Sequence, residues 1–391
     1  MSKTGNVIER RGNKVVKKFA SRINFVKESN IYEKLKGSGL APEMYGALDG
    51  EIELEYVEGP NFYQNYLAAG TDPAAQVKCF EDFYRWYMKY REITNIGIGD
   101  MDFEDFIALD TGLKAIDFEH CKPCSMEEDI AYLACLIAMY PHGYTTAGME
   151  SAKLFVCVGS SCMNWQADTL SRVTPLAAER VEKQLGLRRN VGMAHYLAAY
   201  FSTTGVVLAG GKSSRMKQDK KQMMVDGKTM LEASANLIGF MPKRIISAAA
   251  GEDINFPGFE TVNDSYTNRG PMEGIVSCLK SSNQPWTLFL TCDMPLLTDK
   301  LLRLFLSYPK DEADAFMFTA GGKRQTFPLL LRTENASRAM QDAVVNNEYA
   351  VQLAIERRLK IKTINAEDFG DFVPNMLWNI NTPEDYEKIT K

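Results

Sequence analysis

Hydrophobic and polar positions follow two different rhythms along the chain, and the change comes near residue 204. In NVIERRGNKVVKKF, the turn Arg11-Gly12-Asn13 separates two alternating runs, which predicts a hairpin. In NFVKESNIYEKLKGSG, Phe25, Ile31, Tyr32 and Leu35 recur at helical spacing and the pattern stops at Gly37 and Gly39, a helix with a glycine end. EIELEYVEG reads as a strand, and Pro73 to about Ile93 as a helix rich in aromatic residues. Helical patterns return at 126–140 and 147–200 around Pro and Gly breaks. A few strands followed mostly by helices predict an α+β unit with a small sheet lobe and a larger helical lobe. From Thr204 the rhythm becomes strand–loop–helix: GVVLAGG, RIISAAA, WTLFLTCDMP and TFPLLLR are short apolar runs, each followed by a polar loop or a helical stretch. That alternation predicts an α/β fold with a doubly wound, mainly parallel sheet covered on both faces. The expected domains are 1–203 and 204–391, with no Pro/Ser/Gly-rich linker between them.

Composition narrows the function classes. Of 391 residues, 45% are hydrophobic and 24% charged, which excludes disorder, a collagen-like repeat and a disulfide miniprotein. Lys+Arg (45) nearly balances Asp+Glu (50), so there is no electrostatic footprint for nucleic acid or an anionic membrane surface. No run reaches the roughly 18 apolar residues of a membrane helix. The charged N-terminus MSKTGNVIERRGNKVVKKF lacks a signal-peptide core. Of the eight cysteines, Cys135, Cys157 and Cys292 sit in apolar runs, as reduced core residues do. Cys121 and Cys124 form a lone CxxC, short of the usual four-ligand zinc set. The expectation is a cytoplasmic protein. The aromatic run FEDFYRWYMKY (Phe80 to Tyr90) is read as a core helix by its spacing, and His120, His142 and His195 as packing or surface residues.

The most informative segment is GVVLAGGKSSRMKQDKKQMMVDGKTML. An apolar strand runs into Gly210-Gly211 and then a loop carrying Arg215, Lys217, Asp219 and Lys220. Glycines let backbone N–H groups approach phosphate oxygens, Arg215 can grip them in a two-pronged geometry, and Lys220 adds a point charge. The spacing is neither GxxxxGK[ST] nor GxGxxG. LAGGxSSRMxxDK resembles the signature of the molybdenum cofactor guanylyltransferases and their nucleotidyltransferase relatives. Three later motifs carry the same resemblance: VNDSYTNRGPMEGI (Asp264, Gly270, Pro271, Gly274), WTLFLTCDMPLLT (Asp293) and WNINTPEDY (Asn379, Asn381). The resemblance implies transfer of a nucleoside monophosphate from an NTP to a phosphorylated acceptor with release of pyrophosphate. It implies that Leu208, Ala209, Gly210 and Gly211 line the nucleotide, that Arg215 and Lys220 hold the triphosphate, and that Asp264 and Gly270 contact the nucleotide. Asp293, with Asn381, would bind Mg²⁺, the hard cation such chemistry requires. Two departures stand out: Lys217 replaces the glycine usual after the RM pair, and Ala248, Ala249 and Ala250 fill the place where guanine-selective relatives carry an Asn. The double glycine of LAGG still resembles guanylyl-transferring members, so GTP is the expected nucleotide.

The first half resembles, more loosely, the kinase-like fold of small-molecule kinases. KVVKKF looks like its third strand with Lys17, FVKESNIYEKL like the following helix with Glu28 placed to pair with it, GDMDFED like a catalytic loop with Asp100 as base, and AIDFEHC like the metal-binding motif with Asp117. No glycine-rich loop precedes Lys17, Ile98 stands two residues before Asp100 in place of the usual His, and Asp105 replaces the metal-binding Asn. A carboxylate at Asp105 can still ligate Mg²⁺, and ATP is the implied donor.

Together these readings give three expectations. The first is Mg-dependent transfer of GMP from GTP to molybdopterin, with a kinase-like first domain of unassigned substrate or regulatory role. The second is a bifunctional small-alcohol kinase and nucleotidyltransferase making an NDP-activated metabolite. The third is a pseudokinase module fused to the transferase. Small molecules (NTP, molybdopterin) are the expected partners, and a molybdoenzyme or another protein of cofactor biosynthesis the candidate protein partner; nucleic acid and membrane are not expected.

Overall fold

The computed structural model of the chain describes residues 5–70, 72–140, 143–163, 167–210, 216, 219–265, 270–308 and 313–390. It divides into two compact units, Met1–Gln166 with Leu176–Arg189, and Ala167–Pro175 with Asn190–Lys391.

In the first unit, β1 (Val7–Arg11) and β2 (Lys14–Lys18) form the predicted hairpin, turned at Gly12, whose φ of 67° favours glycine. Helix α1 (Arg22–Leu35) begins where the Ser21 side chain accepts a bond from Asn24 N, and it buries Glu28, Ile31, Tyr32 and Leu35. Strands β3 (Met44–Leu48) and β4 (Glu51–Glu55) complete an antiparallel four-stranded sheet of order β1-β2-β4-β3. The remainder is helical: α2 (Phe62–Ala69), α3 (Pro73–Thr94), α4 (Met126–Met139), α5 (Thr146–Cys162) and part of α6 (Ala167–Gln184), with one hairpin, β5 (Phe106–Leu109) and β6 (Gly112–Ala115). The aromatic run on α3 is core, as its spacing predicts: Phe80, Phe83, Tyr84, Trp86, Tyr87 and Tyr90 are all buried. Helix α4 is apolar nearly all round and is buried from Asp129 to Met139.

The second unit opens with α7 (Val191–Ser202), whose Tyr200 ring stacks on Phe240 at 5.1 Å. There follow β7 (Thr203–Leu208), the short hairpin β8 (Met224–Val225) and β9 (Lys228–Thr229), α8 (Met230–Leu237), β10 (Lys243–Ala248) and β11 (Glu260–Asn263). Next come α9 (Pro271–Ser281), β12 (Trp286–Thr291), α10 (Asp299–Leu306), β13 (Ala315–Ala320) and β14 (Lys323–Arg332). The chain ends with α11 (Thr333–Val345), α12 (Val351–Arg358), β15 (Ile361–Asn365) and α13 (Pro383–Thr390). The sheet has seven strands in the order β11-β10-β7-β12-β14-β13-β15. β7, third in that order, is parallel to both neighbours. Only β14 runs against its neighbours. The two-residue Gly321-Gly322 connection from β13, with φ of 55° and 71°, is a tight turn that can join only antiparallel strands. Residues of α9, α11 and α12 pack on the sheet in one buried cluster that includes Ile275, Leu279, Met340 and Ile355. No helix among the described residues is long and apolar enough to cross a membrane.

Candidate active site

Because β10, β7 and β12 are parallel, their C-terminal ends emerge on one edge of the second unit, where ligands of open α/β sheets bind. Leu208 and Ala209 are buried there, and Ala209 N donates to Ser247 O at 2.9 Å. Gly210 lies against the next strand so closely that a Cβ would come within 3.1 Å of Ala249 N and 3.5 Å of Asp264 Oδ2. Gly274 is under the same constraint: a Cβ would fall 2.5 Å from Ser247 Oγ and 3.4 Å from Asp264 Oδ1. Gly210 approaches the backbone of Ala248 and Ala249, and Gly274 the side chains of Ser247 and Asp264, and glycine is what permits both. The Asp264 carboxyl is half-buried and is pushed up to about 6, first by desolvation and then by the neighbouring Glu273 charge. Gly270, at φ 60°, precedes Pro271 and forms the N-terminal cap position of α9.

Asp293 follows β12 directly. Its Oδ2 accepts from Lys220 Nζ at 3.2 Å, and the same ammonium lies 3.0 Å from Asn381 Oδ1. Asp293 O accepts from Ile380 N at 2.8 Å, so the WNINTPEDY segment is tied to the strand end by its backbone. Asp385 caps that segment, accepting from Asn381 N and Thr382 N at 3.2 and 3.0 Å. Asp293 and Asn381, 73 and 161 positions from Lys220, therefore meet at its one ammonium. Asp293 Oδ1 is buried and has no hydrogen-bond partner among the described residues. An orphaned carboxylate oxygen beside an amide carbonyl oxygen is a hard donor set of the kind Mg²⁺ takes, so the residues present fit that ion. Asn379 is exposed, and its carbonyl lies 3.4 Å from Asn381 Nδ2. Gly211, Arg215 and Lys217 lie outside the described residues.

The first unit gathers a second constellation. Lys17 on β2 and Glu28 on α1 are both almost wholly buried and pair at 2.9 Å, and Lys17 also reaches Asp117 Oδ1 at 3.1 Å. The two partners hold the Lys17 ammonium above its ordinary range against burial, and burial pushes Glu28 up to about 8. Glu28, Asp117 and Glu119 bring one oxygen each within 4.8 Å of one another, close enough for a shared metal ion. Asp105 is not one of the three. Its carboxyl accepts from Asp102 N at 2.7 Å and is pushed up to about 7, chiefly by burial. Asp100 pairs with Lys122 at 3.5 Å and with Arg180 of α6.

The loop carrying Asp100 is held by a residue that hydrophobic patterning conceals. Asp129, on buried α4, accepts from Ile98 N (3.1 Å), Gly99 N (2.9 Å) and Tyr87 OH (2.7 Å). Cys124 Sγ lies 3.0 Å from the same carboxylate, so the CxxC contributes to this anchor. The sequence also gives no sign of the pairing between buried Lys221 and Glu252 in the second unit, since the partners are 31 positions apart.

Comparison with known proteins bears on the second unit. Residues 205–356 match the family model of the MobA-like NTP transferase domain. A probable molybdenum cofactor guanylyltransferase of Flavobacterium johnsoniae is 26% identical over 183 residues, 46% of this chain and 93% of the relative. A molybdenum cofactor guanylyltransferase of Shewanella baltica is 26% identical over 189 residues, 47% of this chain and 93% of that protein. Among solved structures, the molybdopterin-guanine dinucleotide biosynthesis protein A of Archaeoglobus fulgidus superposes with a TM-score of 0.41 at 19% identity, covering 48% of this chain and 96% of that one. The second unit thus carries a nucleotidyltransferase domain of the MobA-like kind.

Proposed function

We propose that the second unit transfers GMP from Mg-GTP to molybdopterin, giving the guanine dinucleotide form of the cofactor and pyrophosphate. The observation that carries this reading is the meeting of Lys220, Asp293 and Asn381 beside the glycine-floored end of β7. Lys220 neutralises triphosphate charge, and Arg215 supplies a two-pronged grip on the same oxygens. Asp293 and Asn381 hold the ion, which when bound stabilises charge on the α-phosphate and the departing pyrophosphate. The acceptor phosphate is itself the nucleophile, so the chain's residues bind, orient and neutralise. The names of the similar guanylyltransferases support guanine and molybdopterin as substrates. Incubation with Mg²⁺, GTP and molybdopterin should yield the dinucleotide by mass spectrometry. A product that forms equally well without molybdopterin, or none at all, contradicts the assignment of the acceptor.

A second reading has its own observation. The buried Lys17–Glu28 pair, with Asp117 at 3.1 Å from the same ammonium, is what a kinase-like first unit needs to hold ATP phosphates. On this reading the first unit phosphorylates a small alcohol, Asp100 takes the hydroxyl proton, and the second unit activates the phosphate as an NDP derivative. Asp117, with Glu28 and Glu119, would hold Mg²⁺. Binding of ATP that is lost in Lys17→Met supports it. Unchanged ATP binding in that variant leaves the first unit a non-catalytic module.

A further inference from the structure

The wall beside Gly210 is built by residues that no motif assigns. Four residues bring a carboxylate to it. Glu252 Oε2 accepts from Ala249 N at 3.3 Å, and that same Ala249 N would lie 3.1 Å from a Cβ on Gly210. The other Glu252 oxygen pairs with Lys221, whose side chain is nine-tenths buried. Asn263 Nδ2 donates to Ala249 O at 3.0 Å and to Glu252 O at 2.6 Å, pinning the two ends of the turn together. Gly251, at φ 79°, makes the turn tight enough to fold Glu252 back onto Ala249. Asp264 also borders Gly210, its Oδ2 lying 3.5 Å from where a Cβ would stand. The glycine surface is therefore flanked by two carboxylates, one of them fixed by a buried cation.

Carboxylate oxygens only accept hydrogen bonds. Among the four bases, guanine alone presents two adjacent donors, N1–H and N2–H₂, on its pairing edge. Adenine and cytosine set one amino group beside an acceptor nitrogen, and uracil flanks its single N–H with two carbonyls, so each would put lone pairs against the carboxylate. A site that accepts from a substrate N–H rejects an analogue that presents a lone pair in its place.

We infer that Glu252, held in place by Lys221, reads the guanine edge of the bound nucleotide and supplies the selectivity that an Asn after the second strand would otherwise give. The inference rests on the transferase reading of the second unit and adds a specificity residue to it. Glu252 accepts from the base; Lys221 is a positioning residue, acting by orienting the carboxylate.

Equilibrium binding of GTP, ATP, CTP and UTP to the full chain, in Mg²⁺ and without acceptor, tests this. Wild type should favour GTP. Glu252→Gln should weaken GTP about tenfold or more, as expected for loss of a charged hydrogen-bond partner, while leaving the other three nearly unchanged. Lys221→Met should lose the same preference and Lys221→Arg should restore most of it. If Glu252→Gln weakens all four nucleotides equally, the residue only organises the loop and the inference fails. It fails as well if Glu252→Gln leaves GTP binding untouched, or if wild type does not favour GTP. A wild type that binds no NTP overturns the transferase reading itself, and the specificity role with it.

Discussion

At the scale of single residues, Asp264 and Gly210 make the sharpest statements about the nucleotide site. The Asp264 carboxyl is pushed up to about 6 from 3.8 by burial and by Glu273, so the native protein holds this proton between about pH 4 and 6 where the unfolded chain has lost it. The group's contribution to stability is therefore greatest below about pH 4 and declines as pH rises to 6. Its contribution to nucleotide binding runs the other way, because only the ionised form offers two acceptors. GTP affinity measured from pH 5 to 8 should rise through an inflection near 6, and Asp264→Asn should flatten that step. At Gly210, an added Cβ meets Ala249 N at 3.1 Å, on the surface proposed to take the nucleotide. Gly210→Ala should keep the fold, read by circular dichroism, and weaken NTP binding about tenfold or more, the loss expected from one blocked contact. Asp293, Lys220 and Asn381 could be named from their motifs. Glu252 and Lys221 could not, because their roles depend on a turn and a pairing that spacing does not encode.

At the scale of elements, helix α4 shows what periodicity conveys and what it hides. An apolar run from Ile130 to Met139 identifies a buried helix. Nothing in that run says that Asp129 at its start collects two backbone amides from the Ile98–Gly99 loop. Asp129→Ala strands those amides and the Tyr87 hydroxyl, each at a cost of about 1–3 kcal/mol. Urea titration should show the first unit destabilised by about 3 kcal/mol or more, with faster amide exchange at Ile98 and Gly99. Asp105, at the start of the following hairpin, is pushed up to about 7. Its folded value lies above its unfolded one, so the cost of ionising it grows as pH rises towards 7 and is complete above it. Asp105→Asn should therefore gain stability over wild type at pH 8 and little at pH 4, read as the difference in unfolding midpoint. The strand–helix alternation after residue 204 announces the α/β sheet, whereas the reversal of β14 comes from one Gly-Gly turn. Strand direction is a property of the connection, which apolar patterning does not carry.

At the scale of the whole molecule, two constellations of charged and polar residues occupy two compact units of one chain. Each is assembled from distant sequence: Lys17, Glu28 and Asp117 in one, Lys220, Asp293 and Asn381 in the other. The motifs of the second stand in order along the chain, which is why a nucleotidyltransferase could be read from them. The first departs from its pattern at Ile98 and Asp105, and there geometry contributes more than spacing. If the first unit binds ATP as its second reading proposes, Lys17→Met should remove that binding and leave pyrophosphate release intact, with Asp293→Ala doing the reverse. The central claim is nucleotidyl transfer by the second unit, and its most direct test is pyrophosphate release with Mg²⁺ and each of the four NTPs, with and without molybdopterin, in wild type and Asp293→Ala. Release that requires both GTP and molybdopterin and disappears in the variant is the predicted result. Release that persists in Asp293→Ala, or that no NTP supports with this acceptor, contradicts it.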